Sequence, residues 1–243
     1  DEGGLYREWF DILTRSMLDP SIGLFSDKGG GFHPNENSYV LEDYLLLFEF
    51  VGKIVAKAVY DGQYLPASFS RAFYKHILDR EVTMEDMKSF DPEFYKSMND
   101  VLGYDGDVSD LCLTFSYTMQ EFCRTIEVEL KENGSDIEVT NDNKQEYVQL
   151  MCAHKLTGSV QAQIDAFKKG FNYIIPQENI GMFDERELEL LIAGLPEVDW
   201  ETTMDCADYT GYSRESDQIK WLWQTLQEFN PEQIARFLQF VTG

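Results

Sequence analysis

Hydrophobic side chains recur every three or four positions over most of this chain, which is the period of an amphipathic helix. The pattern predicts helices over Leu5–Leu18, Glu42–Tyr60, Phe69–Leu78, Asp91–Tyr104, Asn143–Leu156, Val160–Tyr173 and Glu185–Ala193, with two more near Ser216–Phe229 and Pro231–Val241. Asp19 and Pro20 are expected to end the first helix, and Ser68 to cap the third. The run from Gly29 through Asn37 is expected to be a flexible loop, because its glycines and polar residues show no period.

Three short stretches alternate instead between apolar and polar positions. They are Leu111–Phe115, Ile126–Leu130 and Ile137–Val139. A period of two is typical of half-buried strands, and Asn133-Gly134 between the last two stretches is a turn signal. The chain is therefore predicted to have an α+β fold that is predominantly helical, with two or three short antiparallel strands forming a β-hairpin.

The stretch from Asp91 to Phe115 carries the most informative helical pattern. Asp91 is a favoured N-cap residue, and Pro92 suits the first turn, where its missing N–H costs nothing. The helix has two adjacent apolar stripes, made of Phe94, Met98, Val101, Tyr95 and Leu102. Together they form an arc about 120° wide, which can face a core and a partner at the same time. An ordinary core helix would show the same pattern, so periodicity leaves both interpretations open.

The net charge of the chain argues against two classes of binding partner. The 243 residues include 20 Lys and Arg against 44 Asp and Glu, for a net charge of −24. Nucleic acid and anionic membrane surfaces attract clusters of Lys and Arg, so this balance argues against both as partners. Glu49, Lys53 and Lys57 recur every four residues along the most hydrophobic helix, which is therefore predicted to be a core helix and not to insert into a membrane.

Cysteine and histidine show no pattern of a reactive or metal-binding centre. The four cysteines have no C-x-x-C pair and no zinc spacing, and they are Cys112, Cys123, Cys152 and Cys206. His33 and His76 are far from them in sequence, and His154 is two positions from Cys152, where side chains on a helix point to different faces. No metal and no cofactor is expected. So few cysteines, with no signal peptide at the start, favour an intracellular location, cytoplasmic and/or nuclear.

Eight blocks of sequence follow one another along the chain: GLYREWFDIL, DPSIGLF, FVGKIVAKAVYDG, AFYKHILD, LKENGSDIEVTNDNKQEYV, AFKKGF, FDERELELLIAGLPEVD and RFLQFVTG. In this order they resemble the HECT-type ubiquitin ligases, most of all the HUWE- and NEDD4-like members. The resemblance covers essentially the whole chain. It implies a bilobed ubiquitin transferase. Its N-lobe docks a ubiquitin-charged E2 conjugating enzyme, and a cysteine of its C-lobe receives ubiquitin and passes it to a substrate lysine.

The resemblance also implies a division of the chain. Residues 1–83 and 160–193 would form the larger helical N-lobe subdomain, and residues 84–159 the smaller E2-binding subdomain with the β-hairpin. Gly194, Leu195 and Pro196 would be the hinge, and residues 197–243 a truncated start of the C-lobe. The family's catalytic segment reads L-P-x-x-H-T-C-F, and none of the four cysteines stands in such a segment. We therefore expect no catalytic residue in this chain and no complete reaction from it alone. Protein substrates would bind through regions outside it.

By the same resemblance, the E2-binding groove falls on nine positions: Phe94, Ser97, Met98, Asp100, Val101, Tyr104, Leu111, Leu113 and Tyr147. Ser97 and Asp100 are expected at the polar rim. A groove of aromatic, Met and Leu side chains suits the apolar loop that an E2 presents. A second family site, which binds ubiquitin non-covalently, matches at Leu156. The aromatic residue that this second site needs near residues 28–32 is replaced by Gly29–Gly31.

Two other interpretations of the residues stay open. A non-catalytic helical interaction module would use the same apolar groove for another peptide or helix. A cysteine hydrolase would need Cys152 or Cys206 as its nucleophile, yet no histidine is placed to act as the base. Binding to an E2 separates the ligase from the interaction module.

Overall fold

A computed structural model describes residues 2–28, 31–121, 124–194 and 200–229, together with residues 233, 234, 237 and 241. Its α-helices are α1 (Glu2–Leu18), α2 (Tyr44–Tyr60), α3 (Arg71–Ile77), α4 (Met84–Phe90), α5 (Pro92–Leu102), α6 (Lys144–Leu156), α7 (Gln161–Ile174), α8 (Gln177–Ile180), α9 (Glu185–Ala193), α10 (Trp200–Cys206) and α11 (Asp217–Gln227). Its strands are β1 (Phe25–Lys28), β2 (Gly31–Pro34), β3 (Ser116–Glu121) and β4 (Arg124–Glu129). The predicted α+β, mostly helical fold is confirmed.

The start of α3 corrects the predicted cap. Ser70, and not Ser68, is the N-cap residue, and its Oγ accepts the Phe73 N–H at 3.2 Å. The Ser68 hydroxyl instead donates to Glu189 at 2.5 Å. Both serines have the chemistry of a cap. Only Ser70 directly precedes the first residue of the helix, Arg71.

The prediction of a flexible loop at Gly29–Asn37 is wrong, because Gly31–Pro34 is a strand of a β-hairpin. Strands β1 and β2 pair antiparallel, from Phe25 opposite Pro34 to Lys28 opposite Gly31. The backbone N–H of Phe32 donates to Ser68 O at 2.9 Å, and Phe32 O accepts from the Ser70 N–H at 2.8 Å. The hairpin is thus held by a segment from outside it. A Cβ on Gly31 would lie 2.7 Å from the Phe69 backbone, so this close approach requires glycine.

The second hairpin pairs other strands than the predicted turn implies. The predicted strand Ile126–Leu130 corresponds to β4, but it pairs with the segment before it and not with Ile137–Val139, which is not a regular strand. Strands β3 and β4 pair antiparallel, from Ser116 opposite Glu129 to Glu121 opposite Arg124. The predicted strand Leu111–Phe115 is not regular, and Leu111 ends a 3-10 turn that begins at Val108. Two backbone hydrogen bonds still tie this segment to residues 137–139, from Phe115 N to Ile137 O and from Val139 N to Leu113 O. The predicted turn at residues 132–134 is present, with Asn133 at a φ of 56°.

Two hydrophobic clusters fill the unit formed by residues 1–192. Members of the large cluster come from residues 10–78 and 160–192, and those of the small cluster from residues 72–156. Helices α2 and α7 cross at the centre of the large cluster with their backbones in contact. A Cβ on Gly170 would overlap the Glu49 carbonyl oxygen, and one on Gly52 would lie 2.9 Å from Phe171 N. Glycine is therefore required on both sides of this crossing.

Helix α4, which the hydrophobic pattern did not predict, contributes to the small cluster. The carboxylate of Asp86 accepts the Thr83 N–H at 2.8 Å, which satisfies a free donor at the start of the helix. Met87 is fully buried, and Phe90 is nearly so. Seven residues are too few for a clear helical period, which is why the sequence pattern missed them.

Residues 193–243 form a second unit. Within it, the Trp223 indole N–H donates to the Tyr209 hydroxyl at 2.9 Å, and the Trp223 ring lies 6.2 Å from that of Trp200. The helix predicted near Ser216–Phe229 is α11. The helix predicted near Pro231–Val241 lies largely outside the described residues, as do Leu195 and Pro196 of the predicted hinge.

Gly194 follows directly after α9 and has a φ of 79°. This left-handed conformation stops a helix at little cost in glycine, as expected from the sequence. No helix within the described residues is both long and apolar enough to cross a bilayer.

Candidate functional site

The apolar arc of α5 is divided between core and surface. Met98 is 6% exposed and belongs to the small cluster. Phe94 and Val101 are half-buried and pack against that cluster from the outside. Met98 therefore anchors the helix in the core, whereas Phe94 and Val101 keep part of their surface exposed. Asp91 starts the helix as predicted, because its Oδ1 accepts the Phe94 N–H at 3.0 Å.

The loop after α5 presents an aromatic side chain. Tyr104 is 38% exposed, and its carbonyl accepts the Lys144 ammonium of α6 at 3.3 Å. A Cβ on Gly106 would lie 2.7 Å from the Tyr104 ring, so the ring rests on this glycine. The Asn141 side-chain amide donates to Gly106 O at 3.2 Å. The backbone of the loop is thus tied by two side chains to the start of α6 and the turn before it.

The other predicted groove residues lie at different depths. Tyr147 is 4% exposed, and its ring packs edge-on against Phe115 at 5.6 Å. Burial raises the pKa of Tyr147, so its phenol stays neutral. Leu113 is half-buried, whereas Leu111 is 38% exposed. Tyr147 and Met98 are therefore buried in the small cluster, whereas Leu111 and Tyr104 are exposed.

The two predicted rim residues are on the solvent side of α5. Ser97 is exposed, and its hydroxyl donates to the carbonyl of Glu93 one turn earlier at 3.0 Å. Asp100 is exposed. We name the nine positions together the α5 surface: Phe94, Ser97, Met98, Asp100, Val101, Tyr104, Leu111, Leu113 and Tyr147.

Sequence patterns missed the two lysines that support this surface. Lys144 holds the Tyr104 loop, and Lys155 lies at the other end of α5. Its ammonium is 3.1 Å from Asp91 Oδ2 and 4.2 Å from the centre of the Phe94 ring. Burial acts to raise the pKa of Asp91, but the Phe94 N–H and Lys155 outweigh it and keep that pKa below its ordinary value. These contacts join positions far apart in the chain, so no local pattern reveals them.

Leu156 offers no surface. Its side chain is 1% exposed within the small cluster, and its carbonyl lies 3.1 Å from Nε2 of His76. A ubiquitin contact at this position would require the cluster to open. Gly29 and Gly30 of the same predicted site lie outside the described residues.

The cysteine hydrolase interpretation meets a physical obstacle at Cys152. This cysteine is 2% exposed, and burial raises its pKa to about 11. A thiol with that pKa is almost entirely protonated at neutral pH and is a poor nucleophile. Within the described part of the chain, no group of three or more His, Cys, Asp or Glu side chains is arranged to hold a metal ion.

A cavity of about 710 Å³ is lined by the segment around the start of α4, the end of α5 and residues of α6. Its apolar walls include Val82, Met84, Leu102, Val148 and Cys152. Val148 adjoins Tyr147 in sequence, and Leu102 adjoins Val101, so the cavity and the α5 surface share the same two helices.

The described fold is predominantly helical, with two short antiparallel β-hairpins. The chain belongs to the HECT-domain (ubiquitin-transferase) family, whose sequence model matches residues 11–243.

Three relatives illustrate this membership. E3 ubiquitin-protein ligase TOM1-like of Neurospora crassa is 45% identical over 247 residues, covering 100% of this chain and 6% of the relative. E3 ubiquitin-protein ligase HUWE1 of Mus musculus is 45% identical over 253 residues, covering 100% of this chain and 6% of the relative. E3 ubiquitin-protein ligase HACE1 of Xenopus laevis is 44% identical over 245 residues, covering 99% of this chain and 26% of the relative. The chain thus spans a small part of the length of each.

Proposed function

We propose that this chain docks a ubiquitin-charged E2 at the α5 surface, so that ubiquitin can pass to a C-lobe cysteine and then to a substrate lysine. The proposal rests on one observation: other side chains hold the α5 surface at both ends of helix α5. Phe94 is held by Asp91 and Lys155 at one end, and the backbone carbonyl of Tyr104 accepts from Lys144 at the other. Membership of the HECT-domain family is the reason to propose an E2 as the partner of this surface.

The composition of the α5 surface supports docking of an apolar loop. Binding energy at protein interfaces concentrates in a few buried aromatic and apolar anchors. Tyr104 and Leu111 are each 38% exposed, and Phe94 is half-buried, so all three still have surface to lose on binding. Lys155 lies over the Phe94 ring and the Tyr104 ring rests on Gly106, so both rings lose less side-chain entropy on binding than free side chains would.

Charge around the surface supports a basic partner face. Asp100, Asp105, Asp107 and Asp110 are exposed at the C-terminal end of α5 and in the loop that follows. Exposed like charges attract an oppositely charged partner during encounter and raise the association rate, an effect that salt screens. Ser97 would add a polar contact at the rim.

The chemistry of transfer is proposed to belong to a different segment. Cys152 is buried with a raised pKa, and none of the four cysteines stands in the family's L-P-x-x-H-T-C-F segment. In this proposal Gly194, Leu195 and Pro196 are the hinge, residues 1–83 and 160–193 the larger subdomain, and 84–159 the E2-binding subdomain. The partners are an E2, ubiquitin and protein substrates, and the setting is intracellular.

The test is a titration of the chain against a panel of purified E2 enzymes. Phe94→Ala should weaken binding about thirtyfold, or about 2 kcal/mol, as expected for a central aromatic anchor. Phe50→Ala is the matched control, because Phe50 is a 45% exposed phenylalanine on α2 in the large cluster region. The Phe50→Ala variant should bind E2 with the same affinity as the wild type. Failure of the folded wild-type chain to bind any E2, or a change of less than about threefold in folded Phe94→Ala, refutes the proposal.

A further inference from the structure

Lys155 makes two contacts that converge on one turn of α5. Its ammonium lies 3.1 Å from Asp91 Oδ2 and 4.2 Å from the centre of the Phe94 ring. The other carboxylate oxygen of Asp91 accepts the Phe94 N–H at 3.0 Å. Lys155 therefore acts on Phe94 twice, directly through the ring and indirectly through the residue that caps its backbone.

These contacts fix the orientation of the Phe94 ring. A cation over the face of an aromatic ring is attracted by the negative charge density of that face. The covered face is then unavailable to a partner, which must meet the opposite face or the ring edge. Lys155 comes from α6, so the attraction also holds α6 to the first turn of α5. Its side chain is 35% exposed, which keeps the charge close to any docked partner.

We propose that Lys155 is a positioning residue for E2 docking, which holds Phe94 in its binding-competent orientation. The inference rests on the proposed function of the α5 surface. It adds a restriction on the partner: the E2 side chain that meets Phe94 lies beside an ammonium group, so it must be apolar, polar or acidic. A lysine or arginine at that point of an E2 would be repelled.

The chain contains a matched control for these contacts. Lys53 of α2 lies 2.7 Å from Glu49 Oε1 and 5.4 Å from the centre of the Tyr173 ring. Its side chain is 39% exposed, close to the value for Lys155. Lys53 thus combines an ion pair and an aromatic ring in the same way, but α2 and α7 belong to the large cluster and carry none of the nine positions.

The experiment compares E2 affinities of the wild type and four variants, each checked for folding by circular dichroism. Lys155→Met, which keeps the length of the stem, should weaken binding about fivefold. Lys155→Gln, which keeps a donor for Asp91 but no charge, should do the same. Lys155→Arg restores a cation and should stay within about twofold of the wild type, as should Lys53→Met.

Two further measurements separate positioning from a general loss of stability. On a Phe94→Ala background, Lys155→Met should cause no additional loss of affinity, because the ring on which it acts is gone. The carboxyl of Asp91, followed by NMR, should titrate at higher pH in Lys155→Met than in the wild type, since its cationic partner is missing.

The outcomes distinguish this inference from the function on which it rests. If no E2 binds the folded wild-type chain, both fall. If Phe94→Ala weakens binding about thirtyfold but Lys155→Met stays within about twofold of the wild type, only the role of Lys155 is refuted. An equal loss from Lys155→Met on the wild-type and Phe94→Ala backgrounds refutes it as well.

Discussion

Replacing Gly170 with alanine should separate the two central helices of the large cluster. The new Cβ would overlap the carbonyl oxygen of Glu49 and lie 2.8 Å from its carbonyl carbon, where ordinary contact begins at 3.4 Å. Both clashing atoms belong to the backbone of α2, so no side-chain rotation relieves the overlap. The helices must move apart by about 1 Å or more, because close-packed interiors have no free space to absorb an added methyl group.

The expected cost follows from the side chains along this crossing. Each side chain that loses its neighbours by about 1 Å forfeits a quarter to a half of its contact energy. Full burial of such a side chain is worth about 2 kcal/mol. Those that line the two helices are Phe48, Val51, Val55, Ile164, Phe167 and Phe171. Their summed loss exceeds the gain of about 1 kcal/mol from the higher helix propensity of alanine, which leaves a net cost of about 3 kcal/mol.

Urea unfolding followed by circular dichroism measures this free energy, and thermal unfolding should show a fall in Tm of about 6–12 °C. Gly181→Ala is the control. Gly181 has a φ of −61°, and a Cβ there would meet its nearest neighbour, Gln177 O, at 3.4 Å. This change should be neutral or slightly stabilising. If Gly170→Ala unfolds within about 0.5 kcal/mol of the wild type, the backbone contact does not limit the packing of α2 on α7.

Two further predictions concern buried titratable groups. Burial lowers the pKa of His33 from 6.5 to about 3, so the unfolded chain binds a proton between these values that the folded chain does not. The free energy of unfolding should therefore decrease as pH falls through this window. The urea midpoint of His33→Gln should fall less steeply with pH than that of the wild type. Equal slopes of midpoint against pH for the two proteins would contradict this prediction. The raised pKa of Cys152 predicts slow alkylation by iodoacetamide in the folded chain at about pH 7.5, while the exposed Cys112 reacts. Equal labelling of both thiols by mass spectrometry would show that Cys152 is accessible.

Long periodic segments could be predicted from the sequence, and short paired ones could not. Helix α9 is where its pattern placed it, and Asp91 caps α5 as expected, because both depend on neighbouring residues. The β1–β2 hairpin was missed because its strands have four residues each and one of them binds the backbone around Phe69. The strand predicted at Leu111–Phe115 is not regular. Apolar and polar side chains can alternate in an irregular segment as well, when that segment lies over a core.

The candidate site shows the same division. The apolar stripes of α5 were visible in the sequence, but the depth of each residue was not. Met98 is buried and Phe94 only partly so, because α6 and the segment around Phe115 pack under one side of the helix. Lys155 was invisible to any local pattern, since it meets Asp91 only after α6 has folded against α5.

The large cluster is interrupted in sequence by the small one, and this has a consequence for synthesis of the chain. Helix α2 leaves the ribosome about a hundred residues before α7, which covers its glycine face. The segment between them forms its own hydrophobic cluster from local contacts. It can therefore fold before α7 is available to pack against α2. Its folding brings the two ends of the insert together and shortens the search by which α7 finds α2. Folding of the small cluster thus helps the two parts of the large cluster to meet. Destabilising substitutions in the small cluster would then appear first as failure of α2 and α7 to pack together.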